Sequence, residues 1–318
     1  MFDTVHLCYK GANGENLLSV VLPYLANVGE TTFQNGTTVC FGDLRGAHKF
    51  GALRVKVDRK KVKIQGSISK YLLGHNVTCI KRTATQQAIE QISDALHLPI
   101  REAQVTRLDI SSTLQMKYPI EEYISHIGTS REFPTRLEAG RGLYVRNKRG
   151  ELCFYDKSSE LKKERPDLAE AYLGLNLLRL EQRYLSGLAR QFKRETVPAA
   201  LLYDDAFYTD VVERWANAYN DLNKMNSIKV DTHNIKTRKD MNKAGCLLVI
   251  EKVGGLEAFL RQIDNDRKRG IMTSQAAFYL KEKAKEAVRE GIYPFCADEA
   301  IQELNEKVLR ERDKALGI

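Results

Sequence analysis

The chain has 318 residues, 43% hydrophobic and 29% charged, the make-up of a protein with a packed core in one large domain or two smaller ones. Fifty Lys+Arg against 41 Asp+Glu give a formal charge of +9, which permits a polyanionic partner without proving one. Six scattered cysteines (Cys8, Cys40, Cys79, Cys153, Cys246, Cys296) form no Cys-x-x-Cys pair, which argues against a zinc cluster or a disulfide scaffold. No segment approaches the roughly 20 apolar residues of a membrane helix, so a soluble chain with reduced thiols in a cytoplasm is expected.

The first 70 residues read as β-rich. Val5 to Tyr9 and Thr31 to Phe41 are strand candidates, with turns at Gly11, Gly14 and Gly36. From Arg54 to Gln65 valines and Ile64 alternate with Arg54, Lys56, Lys61 and Lys63, so a hairpin with one apolar and one basic face is expected. A solvated outer face and a nucleic-acid contact give this same pattern. Ala88, Ile89, Ile92 and Leu96 then share one side of a helix from Thr85, stopped by Pro99. A strand over 104–112 follows, then a short helix from Pro119 to Gly128 with Ile120, Tyr123, Ile124 and Ile127 on one side. Strands at 142–147 and 151–156 flank Lys148-Arg149-Gly150, and a helical stretch from about Ser159 leads to a last strand at 177–185.

From residue 104 the order is thus β-α-β-β-α-β, an α+β split sheet with helices on one face and an open polar face. A β-rich extension precedes it and helices follow it. We divide the chain into a catalytic domain over 1–195, with its core at about 50–195, and a helical domain over 196–318. In the second, Phe207, Val211, Val212, Trp215, Tyr219 and Leu222 form one apolar stripe. Leu256, Phe259, Leu260 and Ile263 form another, and Ala276, Ala277, Leu280 and Ala284 a third, ended by Gly291. The polar stretch Asn223–Lys243 reads as a linker. The region 254–290 suits either all-α packing or a DNA-binding helix-turn-helix.

Alternation of side chains along a strand sorts the polar residues onto one face. It joins Cys153, Tyr155 and Lys157, then Arg107, Asp109 and Ser111, then Arg179, Glu181 and Arg183. A tyrosine, a lysine, two carboxylates and three arginines on one sheet suit phosphoryl transfer by a tyrosine on an anionic polymer. A phenol of ordinary pKa near 10 needs help at neutral pH. Lys157 would stabilise the phenolate or the phosphate, and Arg107 and Arg179 would grip phosphate oxygens. Asp109 and Glu181 offer the hard oxygens that suit Mg²⁺ or Mn²⁺. Cross-strand salt bridges and a solvated tyrosine account for the same residues without chemistry, and Glu160 fits the solvated first turn of a helix.

Four short elements stand in order: Ser67 to Asn76 (SISKYLLGHN), Thr106-Arg107-Leu108-Asp109, Phe154 to Leu161 (FYDKSSEL), and Leu178-Arg179-Leu180-Glu181. Together they resemble the gene II and gene X replication proteins of filamentous phages and related rolling-circle replication proteins, over about residues 50–195. The resemblance implies an initiator that nicks one strand of supercoiled origin DNA, joins the 5′-phosphate through Tyr155 of the element Tyr155, Lys157, Glu160, leaves a 3′-OH for a polymerase and reseals the displaced strand. Origin DNA, duplex and single-stranded, a host helicase and a host polymerase are the partners it implies. The His-hydrophobic-His metal motif of many nickases is missing, so a carboxylate-rich site with His75 is the expectation. Tyr144 and Tyr71 are reserve nucleophiles, and Tyr144 alternatively stacks on a base. A non-catalytic origin-binding initiator or repressor, or a relaxase of the same chemistry, are the competing readings.

Overall fold

The computed structural model describes the chain apart from residues 13–14, 35, 49–50, 141, 225–234, 254 and 290–298. The expected turn at Gly14, the helix stop at Gly291, much of the expected linker, and Cys296 lie outside the described residues. In chain order the elements are β1 (Phe2–Lys10), α1 (Leu17–Val21), β2 (Ala26–Thr32), β3 (Thr38–Arg45), β4 (Ala52–Val57), β5 (Lys61–Ser67), α2 (Ile68–Leu73), α3 (Arg82–Leu96), β6 (Gln104–Met116), α4 (Ile120–Ser125) and β7 (Thr135–Ala139). They continue as β8 (Gly142–Arg146), β9 (Gly150–Asp156), α5 (Lys157–Glu164), α6 (Pro166–Ala169), β10 (Asn176–Tyr184), α7 (Leu188–Gln191), α8 (Asp205–Asn220), α9 (Arg238–Lys252), α10 (Leu256–Lys268), α11 (Ser274–Arg289) and α12 (Glu299–Leu316).

The fold is α+β, with one antiparallel sheet of ten strands in the order β2-β3-β4-β5-β1-β6-β10-β9-β8-β7 and helices toward the C-terminus. The expected β-rich extension is therefore part of the same sheet as the expected catalytic core. From Gln104 onward the order is strand, helix, three strands, helices, strand. The additional strand is β7, a mostly exposed edge whose Thr-Arg-Leu-Glu-Ala carries little apolar alternation. The segment Thr31 to Phe41 is a hairpin of β2 and β3 around Gly36, which takes φ +76°, rather than one strand.

One sheet face is the core. Phe2, Leu108, Ile110, Leu178, Leu180, Leu152 and Phe154 are buried, and α8 covers them with the predicted stripe Phe207, Val211, Val212, Trp215 and Tyr219. Trp215 is fully buried and its indole N–H donates to the Leu180 carbonyl at 3.4 Å, while Phe2 meets Tyr208 edge-on. Each such side chain contributes about 1.5–3 kcal/mol by leaving water. The other face is not left open, as the sequence suggests. Leu177 continues the row of Arg179 with an apolar residue, and Leu161 of α5 packs on it together with Val77. Helices consequently stand on both faces.

The chain divides into two compact units, Met1–Ile120 with Thr129–Asp221 and Asn305–Ile318, and Glu121–Gly128 with Leu222–Leu304. In the first, Tyr219 of α8 donates to Asn305 at 2.7 Å and Ser112 to Glu311 at 3.0 Å. The second is helical. Its α9 starts inside the expected linker, because Thr237 and Asp240 form a reciprocal capping box. Ala244, Leu247 and Ala287 pack together, and Lys281 of α11 pairs with Asp264 of α10 at 2.6 Å across the turn that contains Gly270.

Candidate functional site

The register of three central strands builds the site. Arg183 of β10 stands opposite Asp109 of β6, Glu181 opposite Ser111 and Arg179 opposite Thr113. On its other side β10 sets Arg183 against Glu151, Glu181 against Cys153 and Arg179 against Tyr155. These residues share one face, so the expected convergence of Tyr155, Asp109, Glu181, Arg107 and Arg179 is present. The Tyr155 hydroxyl is partly buried and donates to Glu181 Oε2 at 3.4 Å. Burial, and then the Glu181 carboxylate, raise the Tyr155 phenol well above its ordinary range, so it holds its proton at neutral pH. Gly142 of β8 stands opposite Tyr155, and a Cβ there would lie 3.2 Å from both the Tyr155 Cβ and the Phe154 carbonyl oxygen, a tight fit for any larger residue.

Arginines hold both carboxylates. Arg107 grips Asp109 with Nε at 2.9 Å and Nη2 at 2.7 Å, and Arg183 Nε reaches Glu181 at 3.0 Å and Asp109 at 4.0 Å. Arg183 Nη1 also pairs with Glu151 at 2.9 Å. Burial, with the Glu181 charge beside it, lifts Asp109 to about 7 against the pull of Arg107. Two carboxylates forced this close are relieved by added positive charge, and Mg²⁺ sites use one or two carboxylates with phosphate and water. Asp109 and Glu181 are the carboxylates of this face that could offer oxygens to a cation, and arginines already pair both of them.

His75 does not join it. It follows the end of α2, where Gly74 takes φ +76°, and the charges that lower its pKa, after burial, are Arg165, His48 and Lys157. Its Nδ1 is buried without a partner. Among the described residues no group of three or more His, Cys, Asp and Glu is arranged to hold a metal ion.

Beside Tyr155 lies a buried ionic network. Arg179 is 0% exposed, its Nη2 2.5 Å from Asp3 and its Nη1 donating to the Asn76 carbonyl at 2.8 Å and Thr113 at 3.0 Å. Asn76 donates to Asp3 at 3.1 Å, and Ser67 also hydrogen-bonds Asp3. Against the upward push of burial, Arg179 and these two donors hold the Asp3 carboxyl below its ordinary range. Lys157 is not on the strand, as the alternation suggests. Asp156 caps α5 through the Ser159 N–H, which turns Lys157 into the first helical turn, where its Nζ donates to Asn76 at 2.9 Å and Glu160 at 2.7 Å. Arg179 and Lys157 thus brace Asn76, Asp3 and Glu160 next to Tyr155. Asp3 was legible only as a charge among the apolar residues of β1.

The same face runs on past β6. His6 of β1 stands opposite both Arg107 and Gln65, and burial with Arg107 nearby lowers it to about 4. Beyond it come Lys63 opposite Cys8, Lys61 opposite Lys10, and Arg54 and Lys56 of β4, the four hairpin cations all exposed. Arg54 also pairs with Asp43 at 3.0 Å and lies over the Phe41 ring. The continuity of His6 with both halves was not legible in sequence, because it depends on the pairing of β1. Tyr144 stands on β8 opposite Cys153, partly exposed, and Tyr71 is buried in α2.

A family profile for the N-terminal region of the phage replication-associated protein of gene II matches residues 47–215, more than half of the chain. None of the curated proteins matches it. No helix among the described residues is long and apolar enough to cross a membrane. The profile spans the hairpin cations, the strands of Asp109, Tyr155 and Glu181, and the helix α8 behind them, the region over which the four short elements resemble phage replication proteins. The chain belongs to this family of phage replication-associated proteins of the gene II type.

Proposed function

We propose that the protein initiates rolling-circle replication by nicking one strand of its origin through Tyr155. The observation that carries this reading is the Tyr155 hydroxyl pointed at the Glu181 carboxylate, on a sheet face continuous with the exposed cations of β4 and β5. The phenol keeps its proton until attack, and Glu181 is the acceptor beside it. As the Tyr155 Oη–P bond forms, the phenol proton passes to Glu181, the bond from phosphorus to the 3′ oxygen breaks, and that oxygen takes a proton from water and leaves as the 3′-OH. The DNA stays on tyrosine as a 5′-phosphodiester, so the bond is kept for rejoining the displaced strand.

Asp109 and Glu181 are the residues that would hold Mg²⁺ or Mn²⁺, which would polarise the scissile phosphate. Arg107 and Arg183 neutralise charge at the same place, while Arg179 and Lys157 would position the site from beside Tyr155. Arg54, Lys56, Lys61 and Lys63 would hold origin DNA. β4 and β9 are five strands apart, roughly 24 Å, which separates duplex contact from the point of cutting. Tyr144, opposite Cys153 on β8, would stack on a base or serve as a second nucleophile. A host polymerase would extend the 3′ end, and a host helicase would unwind the duplex.

Supercoiled DNA carrying the protein's own origin, incubated with Mg²⁺ or Mn²⁺, tests the reading. Open-circular product with protein on the 5′ end, absent for Tyr155→Phe, supports it. Nicking that survives the change moves the role to Tyr144 or to water. Binding without nicking by either protein leaves the non-catalytic initiator as the better account.

A further inference from the structure

Of the two arginines that sequence spacing offers for a phosphate, Arg107 and Arg179, the second is out of reach. Its side chain is 0% exposed, and both Nη groups are bound, to Asp3, the Asn76 carbonyl and Thr113. Arg183 reaches water instead. Its side chain is 22% exposed and that of Arg107 28%, against 1% for Asp109 and 4% for Glu181. The surface that this part of β6 and β10 turns to solvent therefore belongs to guanidiniums, with the two carboxylates sealed beside them.

One oxygen links Arg183 to the tyrosine. Arg183 Nη2 donates to Glu181 Oε2 at 3.3 Å, and the Tyr155 hydroxyl donates to the same atom at 3.4 Å. While Glu181 is an anion, its ion pair with Arg183 is complete. Once the phenol proton passes to Glu181 that carboxyl is neutral, and the negative charge has moved to the oxygens on phosphorus as the Oη–P bond forms. The partner of Arg183 has lost its charge, and the charge has reappeared next to it. The guanidinium is equipped to follow. Of its five N–H groups, Nε and one on each Nη meet carboxylates, so a second N–H on each Nη is free of any partner among the described residues. Its Nη1 bond to Glu151 at 2.9 Å does not depend on Glu181 and holds the group in place. An interaction that strengthens only as charge develops lowers the barrier without tightening ground-state binding.

We infer that Arg183 is a catalytic residue that transfers its pairing from Glu181 to the phosphorus-bound oxygens of the strand being cut, as the Tyr155 proton reaches Glu181. This rests on Tyr155 as nucleophile with Glu181 as its acceptor. Arg183 keeps its own protons throughout: Oη–P forms, P–O3′ breaks, and the 3′ oxygen takes its proton from water. The test is single-turnover adduct formation on single-stranded origin DNA with Mg²⁺ or Mn²⁺, for the native protein, Tyr155→Phe and Arg183→Lys, with strand affinity by fluorescence anisotropy and melting temperature in parallel. Arg183→Lys should slow adduct formation about a hundredfold, as loss of a donor to a developing oxyanion does, and change affinity less than about threefold. With a methylphosphonate at the linkage the native protein cuts, which lacks one charge-bearing oxygen, the loss should shrink to under about tenfold. Where neither protein cuts that neutral linkage, the phosphodiester result decides alone. If Arg183→Lys melts well below the native protein, Arg183→Gln with Glu151→Gln, which removes one charge of each sign, takes its place under the same criteria. An unchanged rate, a loss carried by affinity, or equal losses on both linkages would overturn the inference and leave Tyr155 standing. No adduct from the native protein, or adduct that survives Tyr155→Phe, would remove the nucleophile reading and this inference with it.

Discussion

The two halves of the polar sheet face obey one alternation rule and have opposite fates. In β4 and β5 the outward cations are exposed, and their apolar partners Val55, Val57, Val62 and Ile64 are fully buried. In β6 and β10 the same alternation puts Asp109, Arg179 and Glu181 on the face, and all three are buried. The difference lies in what covers them. α5, the Asn76 loop and Asp3 close over one half, and nothing among the described residues closes over the other in that way. A charge left in water contributes little to stability and is free to meet phosphate. A charge taken out of water must be paired, and its pairing fixes geometry and shifts pKa values.

The largest contrast to test is chemical. Tyr155→Phe should abolish covalent joining to DNA, read as loss of labelled protein–DNA adduct, and leave the melting temperature within a few degrees, since only a 3.4 Å hydrogen bond is lost. Arg179→Met should cost about 3–5 kcal/mol in urea unfolding, because it strands Asp3 without its partner. Adding Asp3→Asn should recover part of that loss. An unchanged midpoint for Arg179→Met would erase the distinction between the halves.

His6 stands where they meet. Its folded pKa of about 4 lies below the ordinary value of 6.5, so between these the unfolded chain binds more protons. Its contribution is fully present above pH 6.5 and lost as pH falls toward 4, on the order of 2 kcal/mol once solvent screening of a half-buried ring is allowed for. Asp109, raised to about 7, titrates across the same window with the opposite sign, so the prediction is read as a difference: the stability of the native protein minus that of His6→Gln should change with pH in that window and nowhere else. The smallest effect on stability belongs to the exposed half. Lys56→Ala, Lys61→Ala and Lys63→Ala should each stay within about 0.5 kcal/mol of the native protein, yet each should reduce the salt dependence of DNA binding by about one counterion.

Much of this architecture was legible from spacing. The strands of Asp109, Tyr155 and Glu181, the hairpin of Arg54 to Gln65, and the stripe of α8 stand where periodicity puts them, because one apolar row per element leaves few alternatives. β7 was not legible, since an edge strand exposed on both sides needs no alternation. Lys157 looked like a strand residue because alternation cannot register that Asp156 is a helix cap. The start of α9 was written in Thr237 and Asp240, but among charged residues it read as a linker. His75 and Asp3 exchange importance for a related reason. A histidine after a glycine draws attention, while an aspartate in the first strand does not, and only the fold brings the second onto Arg179.

The sequence by itself determined the period of each element, the polar and apolar side of each strand, and the set of residue types that suit phosphoryl transfer. Those are local properties, carried by steric alternation and by the chemistry of each side chain. Only the tertiary structure decided that β1 joins the basic hairpin to the central strands, that Asp109 and Glu181 lie close enough to repel, and that Tyr155 and Arg183 share one oxygen of Glu181. Each of these depends on pairing between residues far apart in the chain, and burial then sets the charge and the hydrogen-bonding need of what is brought together.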